Sequence, residues 1–201
     1  MKIFLLVNLD NNDYARFSHV GTWQEILNPC DECNINTEML VEPLQIEWEP
    51  DSDVIGDFSW CGYTIIVLEK VKEFLSKNNF ECDFGKIEVK EPTTPKKRKK
   101  MVSYPYNGPK LYWVMPNEKV NLDIEKSKLE IKKDCSICKR KTYKFKMDGL
   151  VLPKSEWNGK NIFRINQFGF SSATYVTEVA LKKIMSQNFT NFWYKEVGNI
   201  D

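Results

Sequence analysis

The sequence predicts an α+β fold, built mainly of antiparallel strands with a few short helices and arranged as two similar halves. Three observations predict it: short apolar runs typical of strands, a similarity between residues 55–78 and 165–188, and two C-x-x-C pairs about a hundred residues apart. Of the 201 residues, 42% are hydrophobic and 13% aromatic. That composition supports a packed core and excludes disorder as a description of the chain.

Strands are predicted wherever short apolar or alternating segments lie between turn residues. In chain order these segments are residues 2–7, 39–48, 63–67, 84–89, 111–115, 129–132, 142–145, 173–177 and 192–197. No apolar run approaches the roughly 18 residues that a transmembrane helix needs. The first residues also lack the apolar region of a secretory signal, so we expect a cytoplasmic protein without a membrane partner.

Three short helices are predicted, near residues 22–27, 68–77 and 178–187. The first is favoured by Thr22 and Glu25, which have the spacing of a capping box. The second and third have apolar residues at helical spacing. Thr177 is a suitable N-cap for the third helix, and Glu178 in its first turn favours the helix dipole.

The two similar segments indicate a duplication. Aligned with an offset of 110 residues and no gap, they share six identities in 24 positions, and the apolar face of the helix is kept. Each copy predicts a strand, a helix and then a further aromatic-rich strand. We therefore expect residues 1–201 to form a single compact unit of two pseudo-repeated halves, although a chance similarity is the alternative.

The predicted halves are residues 1–90 and 111–201, joined by a basic connector over 91–110. Its sequence contains EPTTPKKRKK, with five consecutive basic residues at 96–100. Such a run suits an acidic partner or a nucleic acid, and it also fits a nuclear-localisation pattern. A solvated loop is favoured, because no aromatic residues alternate with the charges.

Four of the six cysteines form the two C-x-x-C pairs: Cys30 with Cys33, and Cys135 with Cys138. Two such pairs are typical of a tetrahedral zinc site with four cysteine ligands, in which each turn supplies two thiolates. The pairs are 102 positions apart between Cys33 and Cys135, so tertiary structure has to bring them together. A redox-active dithiol and simple reduced thiols remain the alternatives.

Each cysteine turn favours a residue that tolerates a left-handed or open backbone directly after its second cysteine. Asn34 and Lys139 occupy these positions, and lysine is poorly suited to that conformation. The two remaining cysteines, Cys61 and Cys82, are expected to be small buried hydrophobic residues rather than ligands.

The sequence gives little support for catalysis. Its single histidine, His19, lies in a polar stretch without a neighbouring nucleophile, and the common nucleotide-binding, hydrolase and metalloprotease motifs are absent. The formal net charge of +1 excludes a uniformly basic nucleic-acid coat. We therefore predict a protein that is not an enzyme.

The ordered combination of motifs resembles the double-CxxCG motif family of bacteria, over about residues 25–197. The matching features are Cys30-Asp31-Glu32-Cys33, Asp57-Phe58-Ser59-Trp60, Cys135-Ser136-Ile137-Cys138 and the closing stretch from Phe163-Arg164 to Val197. The sequence departs from the family where Asn34 and Lys139 replace the motif glycines.

Members of that family are regarded as immunity proteins that are paired with polymorphic or contact-dependent toxins. The resemblance implies that this chain binds and neutralises a cognate toxin protein. It also implies a structural zinc at the four paired cysteines that ties the two halves together. The alternative is a zinc-ribbon nucleic-acid-binding protein, which is possible but not favoured.

Overall fold

The computed structural model describes residues 1–8, 13–27, 29–33, 37–50, 52–92, 102–157 and 159–201, without the side chains of residues 37 and 38. The first part of the chain forms β1 (Lys2–Leu6), β2 (Phe17–His19), β3 (Gln24–Leu27), β4 (Thr37–Leu40), β5 (Leu44–Trp48), β6 (Phe58–Cys61), β7 (Thr64–Leu68), α1 (Glu69–Lys77) and β8 (Cys82–Lys90). The second part forms β9 (Leu111–Pro116), β10 (Lys119–Val120), β11 (Ile131–Asp134), β12 (Lys141–Tyr143), β13 (Leu150–Leu152), β14 (Ile162–Ile165), β15 (Tyr175–Thr177), α2 (Glu178–Met185) and β16 (Tyr194–Ile200).

These elements confirm an α+β fold made mostly of strands. Six strands close into a barrel in the order β2-β5-β8-β9-β7-β6, and six others form an open sheet in the order β10-β14-β15-β1-β16-β13. The remaining strands form two hairpins, β3–β4 and β11–β12. Most pairings are antiparallel, and the barrel is closed by a parallel contact in which Phe17 pairs with Cys61.

One hydrophobic cluster fills the barrel, and another joins the barrel to the open sheet. Alternate residues of a strand face opposite sides, so Ile66 and Trp113 pack inside the barrel whereas Ile65 and Val67 pack outside it. The outer cluster also contains Val71 and Leu75 of α1, together with Ala180, Leu181 and Ile184 of α2 and Phe4 and Leu6 of β1. The barrel and the open sheet therefore share a core.

Both predicted helices that follow a strand are present. The N-cap of α2 is confirmed, because Thr177 Oγ1 accepts a hydrogen bond from the backbone N–H of Ala180 at 3.3 Å. No helix in the described residues is long and apolar enough to span a membrane.

The helix predicted near residues 22–27 is wrong. Gln24–Leu27 is strand β3, which pairs antiparallel with β4 from Gln24 opposite Leu40 to Leu27 opposite Thr37. The capping-box spacing is a local signal, and here pairing with a distant segment overrides it. The predicted strand over 39–48 is likewise two strands, β4 and β5, with Pro43 between them.

The pseudo-repeat of the halves is not confirmed. When the sequence is aligned with itself at the 110-residue offset, β7 and α1 do align with β15 and α2, so the local strand–helix unit occurs twice. The surroundings differ, because β7 lies in a closed barrel between β6 and β9 whereas β15 lies in an open sheet between β14 and β1. The sheets also mix the two predicted halves, since β1 belongs to the open sheet and β9 to the barrel.

Candidate metal centre

Each C-x-x-C pair lies in the loop of a β-hairpin. The first hairpin (β3–β4) is inserted in the chain between barrel strands β2 and β5, and its loop carries Cys30 and Cys33. The second hairpin (β11–β12) lies in the chain between open-sheet strands β10 and β13, and its loop carries Cys135 and Cys138. Each pair thus lies in a hairpin that the chain inserts between two strands of a larger sheet, although β2 and β5 are neighbours in the barrel and β10 and β13 are opposite edges of the open sheet.

The structure brings the four cysteines together. Cys30 Sγ lies 3.8 Å from Cys135 Sγ, and Cys33 Sγ lies 3.6 Å from Cys138 Sγ. All four sulfur atoms lie within 4.8 Å of one another, and the group could hold a metal ion. A disulfide has sulfur atoms about 2.05 Å apart, and all four cysteines are free thiols here. We call these four residues the cysteine cluster.

The second hairpin folds tightly around its cysteines. The backbone N–H of Cys135 donates to the carbonyl of Arg140, and the N–H of Lys139 donates back to the carbonyl of Cys135, both at 3.0 Å. The N–H of Cys138 points at Cys135 Sγ, 3.5 Å away. Lys139 has φ = +59°, which confirms the left-handed residue that was predicted after the second cysteine. Asn34, its counterpart in the first hairpin, lies outside the described residues.

Each hairpin is anchored to a different part of the fold. In the first, Trp23 and Leu40 pack against the barrel cluster, and Trp23 stacks on His19 with ring centroids 4.3 Å apart. In the second, the N–H of Tyr143 donates to the carbonyl of Phe168 at 2.9 Å. Phe168 follows strand β14 of the open sheet and also packs against the cysteine cluster. The cluster therefore joins elements of the barrel to elements of the open sheet.

A glycine allows the second hairpin to lie this close to the open sheet. Gly169 has φ = +105°, and a Cβ atom there would lie 2.5 Å from the carbonyl oxygen of Tyr143. Any side chain would strain the backbone and separate the two segments.

The two hairpins are also joined directly by a hydrogen bond. Lys133 Nζ donates to the carbonyl of Cys33 at 2.8 Å.

The local backbone favours thiolates in the cysteine cluster. The pKa of Cys135 is lowered to about 7, mainly by the backbone N–H of Cys138. The pKa of Cys30 is also lowered, mainly by the backbone N–H of Cys33. Burial instead raises the pKa of both Cys61 and Cys82 to about 12. Because metal ligands are thiolates, the lowered pKa of Cys30 and Cys135 favours the ligand form, whereas the raised pKa of Cys61 and Cys82 opposes it.

The other conspicuous polar residues stabilise the fold. The ring of His19 is half-buried against Trp23, and this burial lowers its pKa. Asp57 is buried and bonded to the loop after α2. The described part of the predicted connector, residues 91–92 and 102–110, packs Val102 and Tyr106 against the barrel cluster. The basic run at 96–100 lies outside the described residues.

No protein-family model matches the chain, and a search of curated proteins found no significant match.

Proposed function

We propose that the chain is an immunity protein of the double-CxxCG type, which binds a cognate bacterial toxin in the cytoplasm and neutralises it without catalysis. The observation that carries the proposal is the cysteine cluster, in which two distant C-x-x-C turns meet as the resemblance implies. Such a protein needs a rigid scaffold that presents one surface to one target.

The metal that suits the cluster is zinc. Four thiolates are its usual structural ligand set, and a Zn–S distance of about 2.3 Å gives a tetrahedron with edges of about 3.8 Å. Two inter-hairpin distances between sulfur atoms, 3.8 Å for Cys30–Cys135 and 3.6 Å for Cys33–Cys138, match that edge. Cys30, Cys33, Cys135 and Cys138 would hold the ion and leave no open position for water or substrate. Its role is therefore structural.

The zinc would fix the relative positions of the two hairpins. One hairpin packs on the barrel and the other on the open sheet, so a shared ion links both parts of the fold. Metal binding of this kind contributes directly to folding stability. A rigid arrangement of two hairpin tips is then available to a partner.

The test is neutralisation of a toxin encoded beside this gene. We expect co-expression of this chain to restore the growth of cells that produce the toxin, and the two proteins to purify as a complex. Cys33→Ser should lose protection, whereas Cys82→Ser, a matched thiol outside the cluster, should keep it. The proposal fails if no neighbouring gene product is toxic or if none binds this chain.

A second candidate, zinc-ribbon binding of nucleic acid, is favoured by the charge of the second hairpin. Residues 130–148 contain seven Lys or Arg residues and three Asp or Glu residues. Binding of this kind weakens steeply as salt rises, because phosphate contacts release counterions. Retardation of DNA or RNA at low salt that disappears at high salt would support it, and no retardation at low salt would exclude it.

A further inference from the structure

A shallow cleft of about 320 Å³ lies beside the second hairpin, between β12 and the loop that follows β14. It is lined by two lysines, three amides and two aromatic residues: Lys139, Lys141, Asn121, Asn166, Gln167, Tyr143 and Phe168. No carboxylate is among its lining residues, and the nearest one that contacts them on the amide side is Glu156, whose Oε2 accepts a hydrogen bond from Asn121 Nδ2 at 2.9 Å. Ammonium and amide N–H groups are hydrogen-bond donors, so the cleft has the chemistry to receive an anion.

The amide side of the cleft is held in place by its own hydrogen bonds. Asn166 Nδ2 donates to Asn121 Oδ1 at 3.1 Å. Gln167 accepts from the backbone N–H of Leu122 at 3.1 Å and donates to its carbonyl at 3.2 Å. This side is therefore preorganised, and the two lysines supply the adaptable charge.

Of the two lysines, Lys139 is the more available. Lys141 Nζ lies 3.2 Å from Asp134 Oδ2 in an exposed ion pair, which contributes little and exchanges readily. Lys139 is exposed and has no ion-pair partner among the residues that the structure describes.

The tip of the second hairpin adds an apolar contact point. Ile137, between Cys135 and Cys138, has 69% of its surface exposed. Binding to single-stranded nucleic acid relies on exposed aromatic rings on which bases stack. Of the two aromatic residues that line the cleft, Tyr143 is buried and Phe168 is only partly exposed, whereas the exposed aliphatic side chain of Ile137 beside basic residues suits a protein interface. The combination therefore fits a protein partner better than a nucleic acid.

We propose that this cleft and Ile137 form a docking site for an acidic protein surface, in which Lys139 and Lys141 receive a carboxylate of the partner. This docking site rests on the proposed function in one respect only, which is that the toxin is identified as the acidic partner. Charge complementarity of this kind speeds association and selects the partner.

The test measures binding of labelled twelve-residue peptides to the metal-loaded chain by fluorescence anisotropy at low salt. One peptide alternates Glu with Leu, the second has Gln in place of Glu, and a single-stranded DNA of equal length is the third probe. We expect the Glu peptide to bind and the Gln peptide to bind at least five-fold more weakly.

Lys139→Gly is the informative variant, and Lys128→Gly is its matched control. Lys128 is also an exposed lysine with positive φ, at +50°, but it does not line the cleft. Each variant removes one positive charge and one strained lysine. We expect Lys139→Gly to weaken Glu-peptide binding about five-fold, as an exposed ion pair permits, and Lys128→Gly to change it less than 1.5-fold.

Three results would overturn the docking site. The first is an equal loss of Glu-peptide affinity in Lys139→Gly and Lys128→Gly, and the second is equal affinity for the Glu and Gln peptides. The third is an affinity for the DNA that exceeds the affinity for the Glu peptide and that Lys139→Gly abolishes. The toxin assay separates the two proposals. Protection that is unaffected by Lys139→Gly refutes the docking site and leaves the immunity function standing. Glu-peptide binding that depends on Lys139, without any protection from a toxin, refutes the immunity function alone.

Discussion

Replacing Asp57 should weaken the join between the barrel and the loop that follows α2. Its buried carboxylate accepts the backbone N–H of Thr190 through Oδ2 at 2.9 Å, and its own N–H donates to Thr190 Oγ1 at 2.9 Å. Lys70 Nζ lies 2.7 Å from Oδ1. One carboxylate thus satisfies a backbone donor and a lysine from two different segments.

Asp57→Ala removes the acceptor of the Thr190 N–H, and a hydrogen bond to a charged group contributes about 1.5–3 kcal/mol. Lys70 is 62% exposed, so its ion pair adds no more than about 1 kcal/mol. We expect Asp57→Ala to lower the free energy of unfolding by about 2–4 kcal/mol. Asp57→Asn should cost about 1 kcal/mol, because its amide oxygen can still accept from Thr190.

Urea unfolding of the purified protein, followed by tryptophan fluorescence, measures these differences. Asp148→Ala is the control, since Asp148 is exposed and should change stability by less than about 0.5 kcal/mol. A value for Asp57→Ala within about 0.5 kcal/mol of the unaltered protein would refute the reasoning. Equal costs for the Ala and Asn variants would show that charge, and not the hydrogen bond, is what matters.

Three further predictions concern single positions. Gly85→Ala should cost about 1–3 kcal/mol in urea unfolding, because its Cβ would lie 2.0 Å from the buried ring of Trp113; an unchanged midpoint would contradict this. Lys139→Gly should stabilise the metal-loaded protein by about 0.5–1 kcal/mol, since relief of the left-handed lysine exceeds the entropy that glycine gains on unfolding; a loss would contradict it. After chelation, Cys30 should be alkylated before Cys61, and its lowered pKa keeps it reactive at lower pH than an ordinary thiol; mass spectrometry that finds Cys61 modified first would count against this order.

Elements with strong local signals could be predicted from the sequence. The cap at Thr177 and the helical spacing of apolar residues are properties of a few neighbouring positions, and α2 begins where they indicate. The left-handed residue after Cys138 is equally local, because a C-x-x-C turn favours a left-handed or open backbone directly after its second cysteine. Lys139 adopts it despite being a lysine.

Elements that depend on distant pairing could not be predicted. The residues of β3 carry a capping-box spacing, and only their pairing with β4 makes them a strand. Closure of the barrel depends on the pairing of Phe17 with Cys61, which no local sequence pattern predicts. The two C-x-x-C pairs predicted a shared site despite their separation in the sequence, but not that each pair lies in a hairpin or that one hairpin is anchored on the barrel and the other on the open sheet.

Metal content per chain tests the central claim most directly. The chain, purified without chelator or nickel, is compared with Cys33→Ser, Cys138→Ser and the control Cys82→Ser by elemental analysis and urea unfolding. We predict one zinc per chain, lost together with stability in both cluster variants and retained in Cys82→Ser. No metal in the unaltered chain, or zinc retained when either hairpin has lost a cysteine, would contradict a shared structural site.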